Sequence, residues 1–348
     1  MERCLSALPH GRPLCRPHPG RRRSGPLRHC ARLFLFAWLL CLGCGATLPV
    51  RAEPLGTSAP AREAAAPPLP SPAEPAGPAG SAATSSDAPA IPWVEQDGLA
   101  FAELPLPLRD GPGPSLAVVR LPPENFDFVL CAVGRGKHPP LTLRQWAQRE
   151  GLSAAINASM YLPDGVTSTG YLREGDYANN RRLVRRFGAF FVAGPDDAAL
   201  PAATIIDKDE PDWQERLARY RLVVQNYRLI SRDGRILWKP GGPRTAIAAV
   251  GVDAEGRILF LHCREPLDAY SFAEALLRLP LRLGATMYVE GGGQAGLVLR
   301  AGGIERDYAG RSAAEFLSAG SIRVALPNVL GARRRAAAPE SGTPAGRR

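Results

Sequence analysis

Ser271-Phe-Ala-Glu-Ala-Leu-Leu-Arg-Leu-Pro-Leu-Arg-Leu-Gly-Ala-Thr-Met-Tyr-Val-Glu-Gly-Gly-Gly-Gln294 is the stretch on which the reading of this chain turns. Ser271-Phe-Ala-Glu274 is a capping-box pattern that opens a helix, and Pro280 stops that helix after Leu279. Ala285–Val289 is then an apolar strand, ending on one carboxylate, Glu290, followed by three glycines. A loop without side chains lets a ligand approach the backbone closely. Its successive N–H groups can form an anion-binding concavity beside a titratable group. That combination suits a phosphorylated or sugar substrate, although Gly291, Gly292 and Gly293 would also serve a simple tight turn.

Outward from this unit, an equivalent one lies upstream. Thr142-Leu-Arg-Gln145 has the capping-box form and predicts a helix with Leu143, Trp146 and Ala147 inward and Gly151 as its stop. The strand Ala154–Asn157 follows and again ends on a polar residue. Leu116–Leu121, Phe126–Val133, Phe187–Ala193 and Leu222–Asn226 read as further strands. Asp212-Trp-Gln-Glu215 starts a short helix reaching about Tyr220. Ile230–Trp238 reads as a hairpin around Arg232-Asp-Gly234, and Thr245–Val252 with Arg257–His262 as another around Asp253-Ala-Glu-Gly256. Hairpins intermixed with single helices predict an α+β single domain, with a bent mixed or antiparallel sheet flanked by a few short helices.

The ends of the chain differ from its middle. Residues 1–52 combine nine arginines with the apolar run Leu33–Leu42 and a small-x-small site at Val50-Arg-Ala52, the plan of a secretory signal peptide. The protein is therefore expected to be exported, periplasmic or extracellular. The apolar run is short for a stable transmembrane span, which needs roughly 20 residues. Cys44 offers a lipid anchor as the alternative. Residues 53–91 are Ala-, Pro-, Ser- and Gly-rich and predict a disordered linker. Residues 92–331 form the expected domain, and 332–348 an expected disordered basic tail. The net charge of +10 belongs to the ends. The leader has nine Arg against one Glu and the tail five Arg against one Glu, which leaves −2 for the stretch between them. That balance argues against nucleic acid as a partner. Five of the seven cysteines fall in the leader, and Cys131 and Cys263 read as two buried thiols, a single disulfide being the alternative.

Four segments hold the candidate chemistry: Asn157-Ala-Ser-Met-Tyr161, Leu162-Pro-Asp-Gly-Val-Thr-Ser-Thr-Gly170, Gly241-Gly-Pro-Arg-Thr245 and Glu290–Gln294. Arg244 has the donor fork that matches phosphate oxygens, or is a surface arginine beside a turn. A Glu near a phosphodiester has its proton affinity raised and can serve as acid or base near neutral pH. Asp164 could supply the second carboxylate of glycoside cleavage, or simply form a Pro-Asp-Gly turn. Asn157 could hold a sugar hydroxyl or phosphate, or cap the loop backbone. No Gly-x-Ser-x-Gly elbow, His-Glu-x-x-His helix or P-loop is present. Outside the leader, His138 and His262 are the only histidines, too few for a His-rich zinc site.

In this order the segments resemble the phosphodiester glycosidase family, in its N-acetylglucosamine-1-phosphodiester alpha-N-acetylglucosaminidase-like, exported bacterial branch. Asn157-Ala-Ser-Met-Tyr161, Asp164-Gly165 with Gly170-Tyr-Leu172, Phe187–Phe191, Val224-Gln-Asn226, Arg244-Thr-Ala246 and Tyr288–Gly293 carry the resemblance, over about Ser153 to Leu299. Glu290 stands where the family has Asp, and Gln294 where it has a small hydroxyl residue. The resemblance implies an exported hydrolase acting on sugar-1-phosphodiesters in envelope or extracellular glycans, with non-catalytic glycan or phosphoglycan binding as the alternative. It implies Glu290, Asp164 and Arg244 as the catalytic group. Asn157, Thr245, Gly291, Gly292, Gly293 and Gln294 are the implied substrate- and phosphate-binding group. It calls for no cofactor and leaves a metal requirement open.

Overall fold

The structure, a computed structural model, describes residues 90–136, 138–310 and 323–336. The expected signal peptide, nearly all of the expected linker and residues 337–348 lie outside the described residues. The chain begins with β1 (Val94–Gln96), β2 (Leu99–Leu108), β3 (Gly111–Leu121) and β4 (Phe126–Ala132). Then β5 (Leu141–Thr142) leads into α1 (Leu143–Arg149), followed by β6 (Ala154–Asn157), β7 (Leu172–Glu174), β8 (Tyr177–Asn180), β9 (Ala189–Pro195) and β10 (Ala203–Asp207). Next come α2 (Trp213–Ala218), β11 (Tyr220–Ile230), β12 (Thr245–Asp253), β13 (Ile258–Leu267) and α3 (Ala269–Arg278). The last elements are β14 (Leu283–Gly291), β15 (Gly296–Ala301), β16 (Ile304–Ala309), β17 (Ala325–Leu326) and β18 (Asn328–Arg334).

Two sheets hold nearly all of these strands. The larger has the order β1-β2-β3-β13-β12-β14-β11-β7-β8, with β9 and β10 attached at β11. The smaller has the order β16-β15-β6-β18-β4. Every pairing among the described strands is antiparallel. The domain is thus α+β and dominated by antiparallel sheet, with three short helices among the described residues. One apolar core fills the space between the sheets, where Ala246, Ala248 and Val250 of β12 meet Ile156 of β6, Leu297 of β15 and Leu330 of β18. The alternate residues Ile247 and Ala249 face the opposite side of the large sheet and pack under α3. This central strand is buried on both faces, which is why Ala246–Val250 reads as an unbroken apolar run.

The helices cover the outer faces for reasons visible in their sequences. In α1 the Thr142 side chain accepts from the Gln145 N–H and the Gln145 side chain accepts from Thr142, a complete capping box. Leu143, Trp146 and Ala147 are its buried residues, as expected, and Gly151 follows with φ +61°. The helix α3 starts earlier than Ser271-Phe-Ala-Glu274 suggests. Asp268 is the cap, its side chain accepting from the Ser271 N–H at 3.0 Å. The earlier start places Ala269, Phe272, Ala273 and Leu276 on one stripe facing the sheet. Glu274, freed from capping, pairs with Arg109 and with Arg278.

Other expectations shift by a few residues. The Thr245–Val252 and Arg257–His262 hairpin forms as β12 and β13, with Asp253 accepting from the Glu255 and Arg257 N–H groups in its turn. The Ile230–Trp238 segment closes through one bridge, Ile230 to Ile236, rather than through two full strands. The expected tail boundary at 331 falls inside β18, which runs on to Arg334 with Ala332 fully buried between the sheets. Leu330 and Ala332 sustain the period-two pattern across that point, and Arg334 and Arg335 pair with Asp97 and Asp127. Cys131 and Cys263 are free, buried thiols in separate apolar clusters on the outer faces of the two sheets, which excludes a disulfide.

Candidate active site

Glu290 owes its position to an irregularity in β14. Its neighbours Ala285, Met287 and Val289 face the inter-sheet core while Tyr288 faces α3. Regular alternation would send Glu290 to the Tyr288 side. In the pairing with β12, however, Ala248 lies opposite Glu290 and Ala249 opposite Tyr288, leaving Val289 as an extra residue. This bulge turns Glu290 to the inner face, next to the core, a device common beside functional sites. The residue is only 5% exposed.

The carboxyl group is poorly compensated there. Oε1 accepts from the Gly291 N–H at 2.9 Å, and Oε2 has no hydrogen-bond partner among the described residues. Burial raises the pKa to about 8, against the smaller opposing effect of the Gly291 hydrogen bond. Glu290 therefore holds a proton at neutral pH and sits within one unit of releasing it. Two phenols feel it: Tyr161, pushed up by burial and then by Glu290, and Tyr288, pushed up to about 12 chiefly by burial.

The glycines after it form a 3-10 turn, Gly292–Gln294. Gly291 is required by close packing, because a Cβ there would lie 2.1 Å from the Tyr288 hydroxyl. Gly292 is required by its φ of +71°. The Gly291 N–H is already given to Glu290, so it is not a free member of an anion-binding loop.

Asn157 takes the second of its two expected roles. It is fully buried, its Nδ2 donates to the Gln294 carbonyl at 2.9 Å, and its Oδ1 accepts from the Gly296 N–H at 2.8 Å. It clamps the turn from both sides. Asp164 likewise serves its own loop. Oδ1 accepts from the Val166 and Thr167 N–H groups and Oδ2 from the Thr167 hydroxyl, which hold the exposed carboxyl below the usual range, the Thr167 hydroxyl most. Arg244 is exposed at the start of β12, donates to the Pro266 carbonyl at 3.2 Å, and helps to lower the Asp268 pKa. Its neighbour Thr245 hydrogen-bonds the Tyr288 hydroxyl. The Gln294 side chain is exposed at the end of the turn. Glu290, Thr245 and the Gly291–Gln294 turn are thus brought together, with Asn157 beneath them, whereas Asp164 is committed to its own turn.

Two residues at this end of the core were not among those expected. Asn226 of β11, fully buried, donates from Nδ2 to the Ala158 carbonyl and leaves Oδ1 without a partner among the described residues. The pairing of Tyr227 with Tyr288 brings Asn226 alongside the Val289 bulge. His262 of β13, 1% exposed, lies opposite Ala248, and Ala248 lies opposite Glu290. The signal for both was in their strands: each continues the inward-facing set of an apolar run, after Leu222 and Val224 or after Ile258 and Phe260. A separate cavity of about 410 Å³ runs along β4 and is lined by Arg135, Arg149, Arg221, Arg333, Glu150 and Glu174. It includes none of the expected site residues.

Residues 150–332 match the phosphodiester glycosidase family model, which covers more than half of the chain, and the protein belongs to that family. The family is one of hydrolases, and its sequence segment spans Asn157, Arg244 and Glu290. No curated protein matches the chain. Among solved structures, a hypothetical protein from Synechocystis is similar at 11% identity and a TM-score of 0.49, over 72% of this chain. The chain spans 65% of that protein's length. The zebrafish N-acetylglucosamine-1-phosphodiester alpha-N-acetylglucosaminidase catalytic domain, auto-inhibited by its pro-peptide, is similar at 15% identity and a TM-score of 0.47, over 73% of this chain and 87% of that one.

Proposed function

We propose that the protein is an exported phosphodiester glycosidase that hydrolyses sugar-1-phosphodiester linkages in envelope or extracellular glycans. The observation that carries this reading is Glu290: a buried carboxyl, one oxygen without a partner, at the end of a strand and against a glycine turn. Its pKa of about 8 suits proton transfer near neutral pH. Arg244, exposed beside the start of β12, supplies guanidinium donors to the phosphate, and Thr245 stands next to the turn. The leader of residues 1–52 carries the protein out of the cytoplasm. The partner is a phosphorylated glycan rather than nucleic acid.

The test is release of reducing sugar by the full-length protein from a panel of sugar-1-phosphodiesters that includes N-acetylglucosamine-1-phosphate esters. Turnover that falls at least a hundredfold in both Glu290→Gln and Arg244→Ala, with near-UV circular dichroism unchanged, supports the assignment. Turnover retained by Glu290→Gln overturns it. The engagement of Asp164 by its own loop favours one second reading, a phosphoglycan-binding protein without turnover. Saturable binding of the same esters with no product released would establish it.

A further inference from the structure

We propose that His262 is the second proton-transfer group of the Glu290 site, taking the proton from the attacking water. The assignment rests on the hydrolytic reading above and fills the place left open by Asp164. Three observations place His262 there. First, strand register sets Ala117, His262, Ala248 and Glu290 in one row across β3, β13, β12 and β14. Directly opposed residues of an antiparallel sheet face the same way, so both titratable side chains point into the inter-sheet space. Second, only Ala248 stands between them in that row. Backbones two strands apart are separated by about 10 Å. Acid and base groups that act on a water across a sugar carbon are typically about 6.5–9.5 Å apart. The spacing of the two strands is thus of the order that such a reaction needs, with only the Ala248 methyl group between the two side chains.

Third, each side chain has one free atom. The Ala295 backbone favours the proton of the His262 ring, and Nε2 has no partner among the described residues. A proton on Nδ1 would leave the buried Nε2 lone pair free to accept one. Ala295 directly follows the glycine turn, so the same turn adjoins both side chains. Nε2 and Glu290 Oε2 are two of eleven buried side-chain polar atoms without a partner among the described residues, and they are the two that share this row.

The surroundings agree with these roles. Burial, and then Arg264, lower the His262 pKa to about 4, so the ring is neutral and able to accept a proton. Tyr308 of β16 lies beside it, with ring centroids 6.3 Å apart, and donates its hydroxyl to Glu103 of β2 at 2.5 Å. Tyr161 and Tyr288 are the titratable groups on the Glu290 side. Paired groups driven in opposite directions by their environments are the usual mark of an acid and a base.

Water gives its proton to His262 Nε2 while its oxygen bonds the anomeric carbon. The bond from that carbon to the phosphate-linked oxygen breaks with its electron pair, and Glu290 protonates that oxygen. The resulting imidazolium and carboxylate reset by transfer of one proton through solvent.

The experiment combines kinetics with nitrogen-15 spectra of the histidine-labelled, full-length protein, the His262 signals being those missing from His262→Gln. His262→Gln, folded by circular dichroism, is expected to lose about a hundredfold or more in kcat. It should also lose the acid limb of the kcat/KM profile while keeping the limb near pH 8. Imidazole should restore part of the rate to His262→Ala. In the spectra, Nε2 should be unprotonated at pH 7 and should shift when N-acetylglucosamine-1-phosphate is added. A His262→Gln rate within threefold of wild type, or a proton on Nε2, overturns the proposal. Wild-type protein that hydrolyses no ester overturns the hydrolytic reading and the proton-transfer step with it. The spectra then still decide whether His262 belongs to the ligand site: an Nε2 shift supports that, and an unmoved signal refutes it.

Discussion

Glu174 and Glu290 are both buried glutamates near the ends of strands, and the protein treats them in opposite ways. Glu174, 3% exposed at the end of β7, accepts from the Leu130 N–H at 3.1 Å and pairs with Arg135 and with Arg221. Arg135 also donates to the Leu130 carbonyl. Between them, Glu174 and Arg135 satisfy the N–H and C=O of Leu130 in β4, the edge strand of the small sheet, and so block pairing of another strand at that point. Among the described residues, Glu290 has one backbone N–H and no cation. The difference separates a carboxylate that holds the fold together from one whose burial is left uncompensated. Charge without partners is costly in a protein interior, and that cost is what moves a pKa to the working range.

Removing each glutamate should therefore have opposite effects. Glu174→Ala leaves two guanidiniums and an edge N–H without their acceptor, and should cost about 3 kcal/mol in denaturant unfolding. Glu290→Gln removes an ionisation that folding opposes. The Glu290 pKa is raised from its ordinary 4.5 to about 8 in the folded protein, so the stability tied to its proton is complete below about 4.5 and is lost as pH rises through 8. Relative to wild type, Glu290→Gln should gain stability steadily over that window and most above pH 8. A constant difference between the two proteins from pH 5 to pH 9 would break the comparison.

The clamp beneath the turn gives a smaller effect. Asn157→Ala strands the Gly296 N–H and the Gln294 carbonyl, costing about 2 kcal/mol, and should lower turnover by loosening the turn beside Glu290. Unchanged stability and rate would show that the turn needs no such support. Smallest of all is Asp164→Asn. An exposed carboxylate serving its own loop should change turnover by less than threefold, and a larger loss would restore it as a partner of Glu290.

How much of this was legible in the sequence depends on how local the cause is. The α1 cap at Thr142, its buried face and the Asp253 turn follow from residues within one turn of one another, and they form as read. The start of α3 was misplaced because Ser271 and Asp268 are both good caps, and packing of Ala269 and Phe272 against the sheet decides between them. Asp164 and Asn157 each offered a backbone role beside a chemical one; Asp164 is engaged by its own loop, and Asn157 by a turn more than 130 residues away in the chain. The inward turn of Glu290 and the row shared with His262 were not readable from the chain. Both depend on the register between β14, β12 and β13, which is fixed by contacts among strands distant in sequence.

Among the described residues Glu290 is buried without compensation, and burial holds its proton at neutral pH. A carbon-13 titration of its labelled carboxyl in the folded protein, assigned by its absence from Glu290→Gln, tests this directly. The account predicts a midpoint near 8. A midpoint between 4 and 5 would mean that solvent or a cation reaches Oε2, and would contradict it.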